Sequence, residues 1–215
     1  MKQTKRILII INLVLSTIIA LFAMASVGCW IGLNFHNGGF SRNITSGEIG
    51  IRLSVVSSAE KWLGTAEGDR QHLELLTVYN THEPLARGYA VTPADNWCAT
   101  FGSAVAIEQA LTDVIPTECG CERQIELWKE LGCWNEKDSY LPLPGDYIYY
   151  NWGQKPDFQN NSGWADHVGI VVGTAGPMIK VIEGNKDDCV SYRIIMVGDY
   201  RIRGYGMPDY ASKAS

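Results

Sequence analysis

Asp95-Asn96-Trp97-Cys98-Ala99-Thr100-Phe101 runs on through Gly102, Ser103, Ala104, Val105, Ala106 and Ile107, an apolar stretch rich in small residues that reads as a buried helix. Thr92, Pro93 and Asp95 supply its start signals, with Asp95 the predicted N-cap, and the Ala, Gly and Ser content lets neighbouring backbone approach closely. Cys98 then falls in the first turn. Unpaired N–H groups and the positive end of the helix dipole favour a thiolate there, and such placements lower a cysteine pKa from ~8.5 to roughly 3.5–7.5. The competing fate of a free cysteine is that of a small core hydrophobe. Position alone does not choose between the two, so the choice falls to the rest of the chain.

Upstream, Thr45-x-x-Glu48 reads as a capping box, and Ile49, Leu53, Val56, Ala59 and Leu63 follow at helical spacing until Gly64. Leu73, Leu76 and Tyr79 suggest a second, shorter helix, with 83–88 a loop leading toward Cys98. Downstream, Glu122 to Leu131 places Ile125, Trp128 and Leu131 on one face and stops at Gly132. Beyond Pro144-Gly145 the segments become short, β-branched or aromatic, and separated by turn residues: 146–152, 167–173, 178–183, 189–197 and 200–205. That texture predicts a meander of antiparallel strands. Helices first and strands after make the fold α+β, with the Cys98 helix packed on an antiparallel sheet.

One of those strands opens on a histidine. Asp166-His167-Val168-Gly169-Ile170-Val171-Val172 is joined by Gly173–Pro177 to Met178-Ile179-Lys180-Val181-Ile182-Glu183-Gly184-Asn185. Pairing Val172 with Met178 across a five-residue loop sets His167 directly opposite Glu183, with Asn185 the diagonal neighbour. A one-residue slip would send His167 and Glu183 to opposite faces. A histidine held at one ring nitrogen leaves the other for a thiol, the nucleophile, base and orienter logic of cysteine hydrolases. His36 in a tether, His72 in a helix and His82 beside Glu83 read instead as solvated.

Trp97-Cys98-Ala99-x-Phe101, Pro144-Gly145-Asp146, Asp166-His167-Val168-Gly169-Ile170-Val171 and Glu183-Gly184-Asn185, in that order, resemble the CHAP family of cysteine, histidine-dependent amidohydrolases/peptidases. The resemblance spans residues ~50–210 and rests on the ordered set, each string being weak alone. It implies a papain-like fold and cleavage of amide bonds in peptidoglycan, without a cofactor. By it Cys98 is the nucleophile, His167 the base, Glu183 the orienting group and Asn185 a further polar member. The bond would be the muramoyl to L-alanine amide or a linkage within the stem peptide or cross-bridge. The rival readings are a catalytically inactive wall-binding or assembly module and an amidase acting on a small soluble peptide. Some members of the family hold calcium just before the nucleophile. Here 91–96 offers one carboxylate, Asp95, where calcium wants ~6–8 oxygens, so no metal is expected.

Trp164, in the glycine-bearing loop before His167, is the aromatic residue best placed to line a substrate groove, with Asp166 beside it. Cys119, Cys121, Cys133 and Cys189 fit zinc spacing poorly and read as disulfide partners or buried thiols.

The N-terminus concerns location. Residues 7 to 33 carry no charge and follow Lys2, Lys5 and Arg6, so 1–33 is a signal-anchor transmembrane helix spanning Ile7 to Gly28, or a signal peptide cut after Ala25. Either way the remainder lies outside the membrane by the positive-inside rule, anchored or secreted. Residues 34–45 form a tether, 46–210 the domain and 211–215 a tail. Beyond residue 35 the chain holds 15 Lys and Arg against 23 Asp and Glu, a net charge of −8, which argues against nucleic acid as a partner.

Overall fold

The computed structural model describes residues 44–155 and 163–214, and within them the chain is α+β. The expected spanning helix and most of the tether lie outside those residues. Among the described residues no helix is long and apolar enough to cross a membrane. Four α-helices come first, α1 Ser46–Lys61, α2 Arg70–Asn80, α3 Cys98–Glu108 and α4 Cys121–Glu130. Six strands follow, β1 Trp134–Asn135, β2 Tyr147–Tyr150, β3 His167–Ala175, β4 Met178–Lys186, β5 Cys189–Met196 and β6 Ile202–Gly206. All pair antiparallel, in the order β1-β6-β2-β3-β4-β5.

The sheet is therefore a meander only from β2 to β5. β6 returns to lie between β1 and β2, and β1, two residues long, has too little sequence to carry an alternating pattern. One sheet face packs under the helices through Tyr147, Tyr149, Val168, Ile170 and Ile182. The other holds a smaller cluster that includes Ile148, Tyr150, Val171, Val181 and Ile195.

α1 starts as predicted at Thr45, whose Oγ1 accepts the Glu48 N–H at 3.1 Å. The reciprocal half of the box is diverted, because Glu48 is buried and takes Arg52 Nε at 2.9 Å. Arg52 Nη1 in turn donates to Asp146 Oδ1 at 2.9 Å and to Pro144 O at 3.0 Å. The other Asp146 oxygen accepts from Tyr140 Oη at 2.7 Å and Leu143 N at 2.9 Å. This buried ionic chain pins α1 to the Pro144-Gly145-Asp146 turn that launches β2. Gly145, at φ +84°, supplies the left-handed step, and its carbonyl accepts from the buried Tyr210 hydroxyl at 2.8 Å. The chain then closes in a 3-10 turn, Tyr210–Lys213, of which Tyr210 is buried and Ala211, Ser212 and Lys213 are exposed.

α2 carries a second departure. His72 is fully buried, with Nδ1 accepting the Gly68 N–H at 2.9 Å and its ring 4.6 Å from the Trp97 ring, while Leu73 on the same helix is exposed. The general preference of histidine for the surface is overridden by a backbone donor and an aromatic face.

Arg52→Ala would leave Glu48 and Asp146 as buried carboxylates without their counter-charge. It is expected to destabilise the domain by ~3–5 kcal/mol, read as a lower urea midpoint at unchanged slope. An unchanged midpoint would mean that the ionic chain contributes nothing net.

Candidate active site

α3 begins at Cys98 itself, with Trp97 as N-cap and no side chain capping it. Asp95 is not the cap. Its carboxylate closes a separate turn, accepting Thr92 N at 2.7 Å and Thr92 Oγ1 at 2.8 Å, with Tyr89 Oη at 3.0 Å. Trp97, buried against His72, ends that turn and fixes where the helix starts. The first-turn N–H groups are left without a side-chain acceptor, and the Ala99 N–H faces the Cys98 sulfur.

The hairpin that carries the histidine is tighter than expected. Ala175 pairs with Met178 across a two-residue Gly176-Pro177 turn, Gly176 having φ +57°. Val172 then forms a bulge, beyond which Val171 pairs with Val181 and Ile170 with Ile182. Carried toward the strand end, this register sets Gly169 opposite Glu183 and makes Glu183 the diagonal partner of His167. The offset from the expected pairing is two residues, an even number, so both side chains keep the same face. A Cβ on Gly169 would lie 2.7 Å from Glu183 Cγ, so the missing side chain opens the path along which the carboxylate reaches the ring. His167 Nε2 and Glu183 Oε2 are 3.1 Å apart.

With Nε2 engaged by Glu183, Nδ1 is the nitrogen left for the Cys98 thiol, with which the ring also interacts. Burial opposes a charged ring, but the Cys98 sulfur and the Glu183 carboxylate outweigh it and hold the His167 pKa up to about 9. Cys98 moves the other way, well below the ordinary thiol range. A hydrogen bond from the Cys121 thiol is the largest cause, opposed by burial and reinforced by His167 and the Ala99 N–H. Burial pushes Glu183 up, but His167 and Arg193 hold it below the usual carboxylate range. Both shifts favour a thiolate beside an imidazolium, and both groups are nearly closed off from solvent.

Three contributors escaped the sequence reading. Cys121 Sγ lies 3.6 Å from Cys98 Sγ, presented by the first residue of α4. Arg193 Nε donates to both Glu183 oxygens, at 2.7 and 2.9 Å, and its guanidinium lies 4.4 Å from the Trp152 ring centre. Trp152 stacks on Tyr150, and both rings flank His167. Arg193 was open to detection, since β5 alternation puts it on the face of Glu183, whereas nothing local marks Cys121.

Of the remaining expected residues, Asn185 does not join the histidine. It adopts φ +56° and donates from Nδ2 to Asn96 Oδ1 at 3.3 Å, across to the segment that leads into Cys98. Asp166 is a brace, its two oxygens each accepting the Trp152 N–H at 3.1 Å. Trp164 is 71 % exposed, on a loop tied to α4 through Ala165 N and Glu122 Oε2 at 2.8 Å. Cys119, Cys121 and Cys189 are free thiols in this structure. Among the described residues no cluster of His, Cys, Asp or Glu is arranged to hold a metal ion. Comparisons with protein-family models, curated proteins and solved structures find no match to this chain.

Such a pair should make Cys98 alkylable at low pH. Iodoacetamide is expected to modify Cys98 of the native chain at pH 6 faster than it modifies Cys189, and His167→Ala should move the pH midpoint of that reaction upward toward ~8.5. A native midpoint already near ~8.5 would rule out the ion pair.

Proposed function

We propose that this chain is an extracytoplasmic cysteine hydrolase that cuts an amide bond of peptidoglycan. The observation that carries the reading is the line from Cys98 through His167 to Glu183, in which a buried imidazole sits between a thiol and a carboxylate. Its support is twofold: the helices-on-sheet frame expected for a CHAP-type, papain-like domain, and the ordered motifs that resemble that family. The substrate class and the membrane location rest on the resemblance and on the apolar N-terminus.

In this mechanism the Cys98 thiolate attacks the scissile carbonyl carbon. The oxyanion forms where the N–H of Cys98 and the uncapped first turn of α3 can donate, a kind of contribution worth ~2.7–4 kcal/mol where one donor has been removed from a hydrolase. The His167 imidazolium gives its proton to the leaving amine as the C–N bond breaks, leaving a thioester on Cys98. Neutral His167 then draws a proton from water, whose oxygen attacks the thioester carbonyl and releases the carboxylate and the thiolate. Glu183 stabilises the imidazolium in both steps, and Arg193 keeps that carboxylate ionised and aimed. No cofactor enters. The domain works close to the membrane, held by Ile7 to Gly28 and the short tether.

Purified chain incubated with sacculi should release muropeptides whose new termini, read by mass spectrometry, identify the bond. Cys98→Ser and His167→Ala should each abolish release by similar factors with the fold intact by circular dichroism, because members of one catalytic unit are non-additive. Full activity in Cys98→Ser would place the nucleophile elsewhere.

Activity should also fall as pH rises through about 9, where His167 loses the proton that the leaving amine requires. Glu183→Gln is expected to lower kcat more than Asn185→Ala does, because it removes the charge that holds the imidazolium. The reverse order would make Asn185 the more important partner.

A further inference from the structure

Cys121 is the one strong neighbour of Cys98 that the hydrolytic mechanism does not consume. Its Sγ stands 3.6 Å from Cys98 Sγ, which is sulfur–sulfur van der Waals contact. A disulfide needs ~2.05 Å, so the two atoms must close by about 1.5 Å. Both cysteines are the first residues of their helices, and α3 and α4 pack against each other. The neighbouring Glu122 anchors the start of α4 to Ala165, two residues before His167. Two other sulfurs are engaged elsewhere: Cys119 Sγ accepts from Arg87 Nη2 at 3.3 Å, and Cys133 Sγ meets Leu131 O at 3.5 Å.

We propose that Cys98 and Cys121 form a reversible disulfide that switches the site off, so that the thiol–disulfide balance outside the membrane sets the fraction of competent molecules. The silencing of hydrolysis rests on the function proposed above, while the bond itself does not. The oxidant is a disulfide of the glutathione or oxidoreductase class. The Cys98 thiolate attacks one of its sulfurs, forming a mixed disulfide and expelling one thiolate. Cys121 then loses its proton and attacks Cys98 Sγ, expelling the second thiolate. Two protein thiols are oxidised and one external disulfide is reduced to two thiols, so atoms and electrons balance.

The arrangement also orders these events. While Cys98 is anionic, its hydrogen bond is the largest cause that pushes the Cys121 thiol up, with burial adding to it. Once Cys98 carries a mixed disulfide that charge is gone. The Cys121 proton is then more readily lost, at the moment when Cys121 is needed as the resolving thiol.

The test is equilibration of the full chain in glutathione buffers of increasing oxidised fraction, followed by acid quench, alkylation and peptide mapping. The expected product is a Cys98–Cys121 cross-linked peptide that dithiothreitol reverses, with loss and recovery of sacculus digestion in parallel. In Cys121→Ser, and in Cys121→Ala should the first variant fold poorly, Cys98 should instead accumulate as its glutathione adduct. A wild-type chain whose Cys98 stops at the glutathione adduct, with Cys121 still alkylable, overturns the proposal, as does a bridge from Cys98 to any other cysteine. A chain that forms the cross-link but digests no sacculi would keep the bond and refute the hydrolase reading instead.

Discussion

The close approach of α3 to the sheet is the constraint on which the remaining geometry depends. A Cβ on Gly102 would meet Tyr147 Cε1 at 2.8 Å, and one on Gly184 would meet Phe101 Cβ at 2.4 Å. These two glycines, one on the helix and one on β4, let the backbone layers sit nearer than ordinary side chains allow. Tyr147 then closes the seam by donating its hydroxyl to Gly102 O at 2.8 Å. Because Gly184 follows Glu183 directly, the contact that seats the helix also sets the height of the carboxylate relative to Cys98. Packing density thereby becomes positional precision for side chains carried on rigid elements.

Within that frame the polar groups form a line of alternating character: Arg193 cation, Glu183 anion, His167 cation, Cys98 anion and Cys121 neutral donor. Each member is stabilised in its state by the next, and in a water-poor site such couplings are strong in both directions. The cost of burying Glu183 is offset at both of its oxygens, by Arg193 and His167 together. Trp152 and Tyr150 then form an aromatic wall beside the histidine, with Arg193 laid over the indole.

The sequence was most legible where a local pattern and a tertiary need coincide. The four helices and the later strands follow from apolar spacing and turn residues, and Cys98, His167 and Glu183 are brought together, although His167 and Glu183 meet diagonally and not directly opposite as expected. Legibility failed where a distant group won a local contest. Glu48 has a capping role open to it, but Arg52, held by Asp146, binds it instead. His72 is drawn inside by Gly68 and Trp97, neither adjacent to it in sequence. Asp95 serves the turn at Thr92 and not the helix beyond it. Cys121 is brought to Cys98 by the packing of two helices, which no spacing in a single chain reports.

The bulge at Val172 also makes the acid–imidazole pair a question of counting. The tight Gly176-Pro177 turn alone would impose an odd register on the whole hairpin, and in it His167 and Glu183 would point to opposite sides of the sheet. One surplus residue turns odd into even. Were Val172 instead drawn into the regular ladder, the chain would retain every residue of the site and yet project the histidine to one side of the sheet and its carboxylate to the other. The site therefore depends on an unremarkable valine standing outside the ladder and not on that valine's chemistry. A residue of this kind is invisible to any inspection restricted to side chains that touch one another.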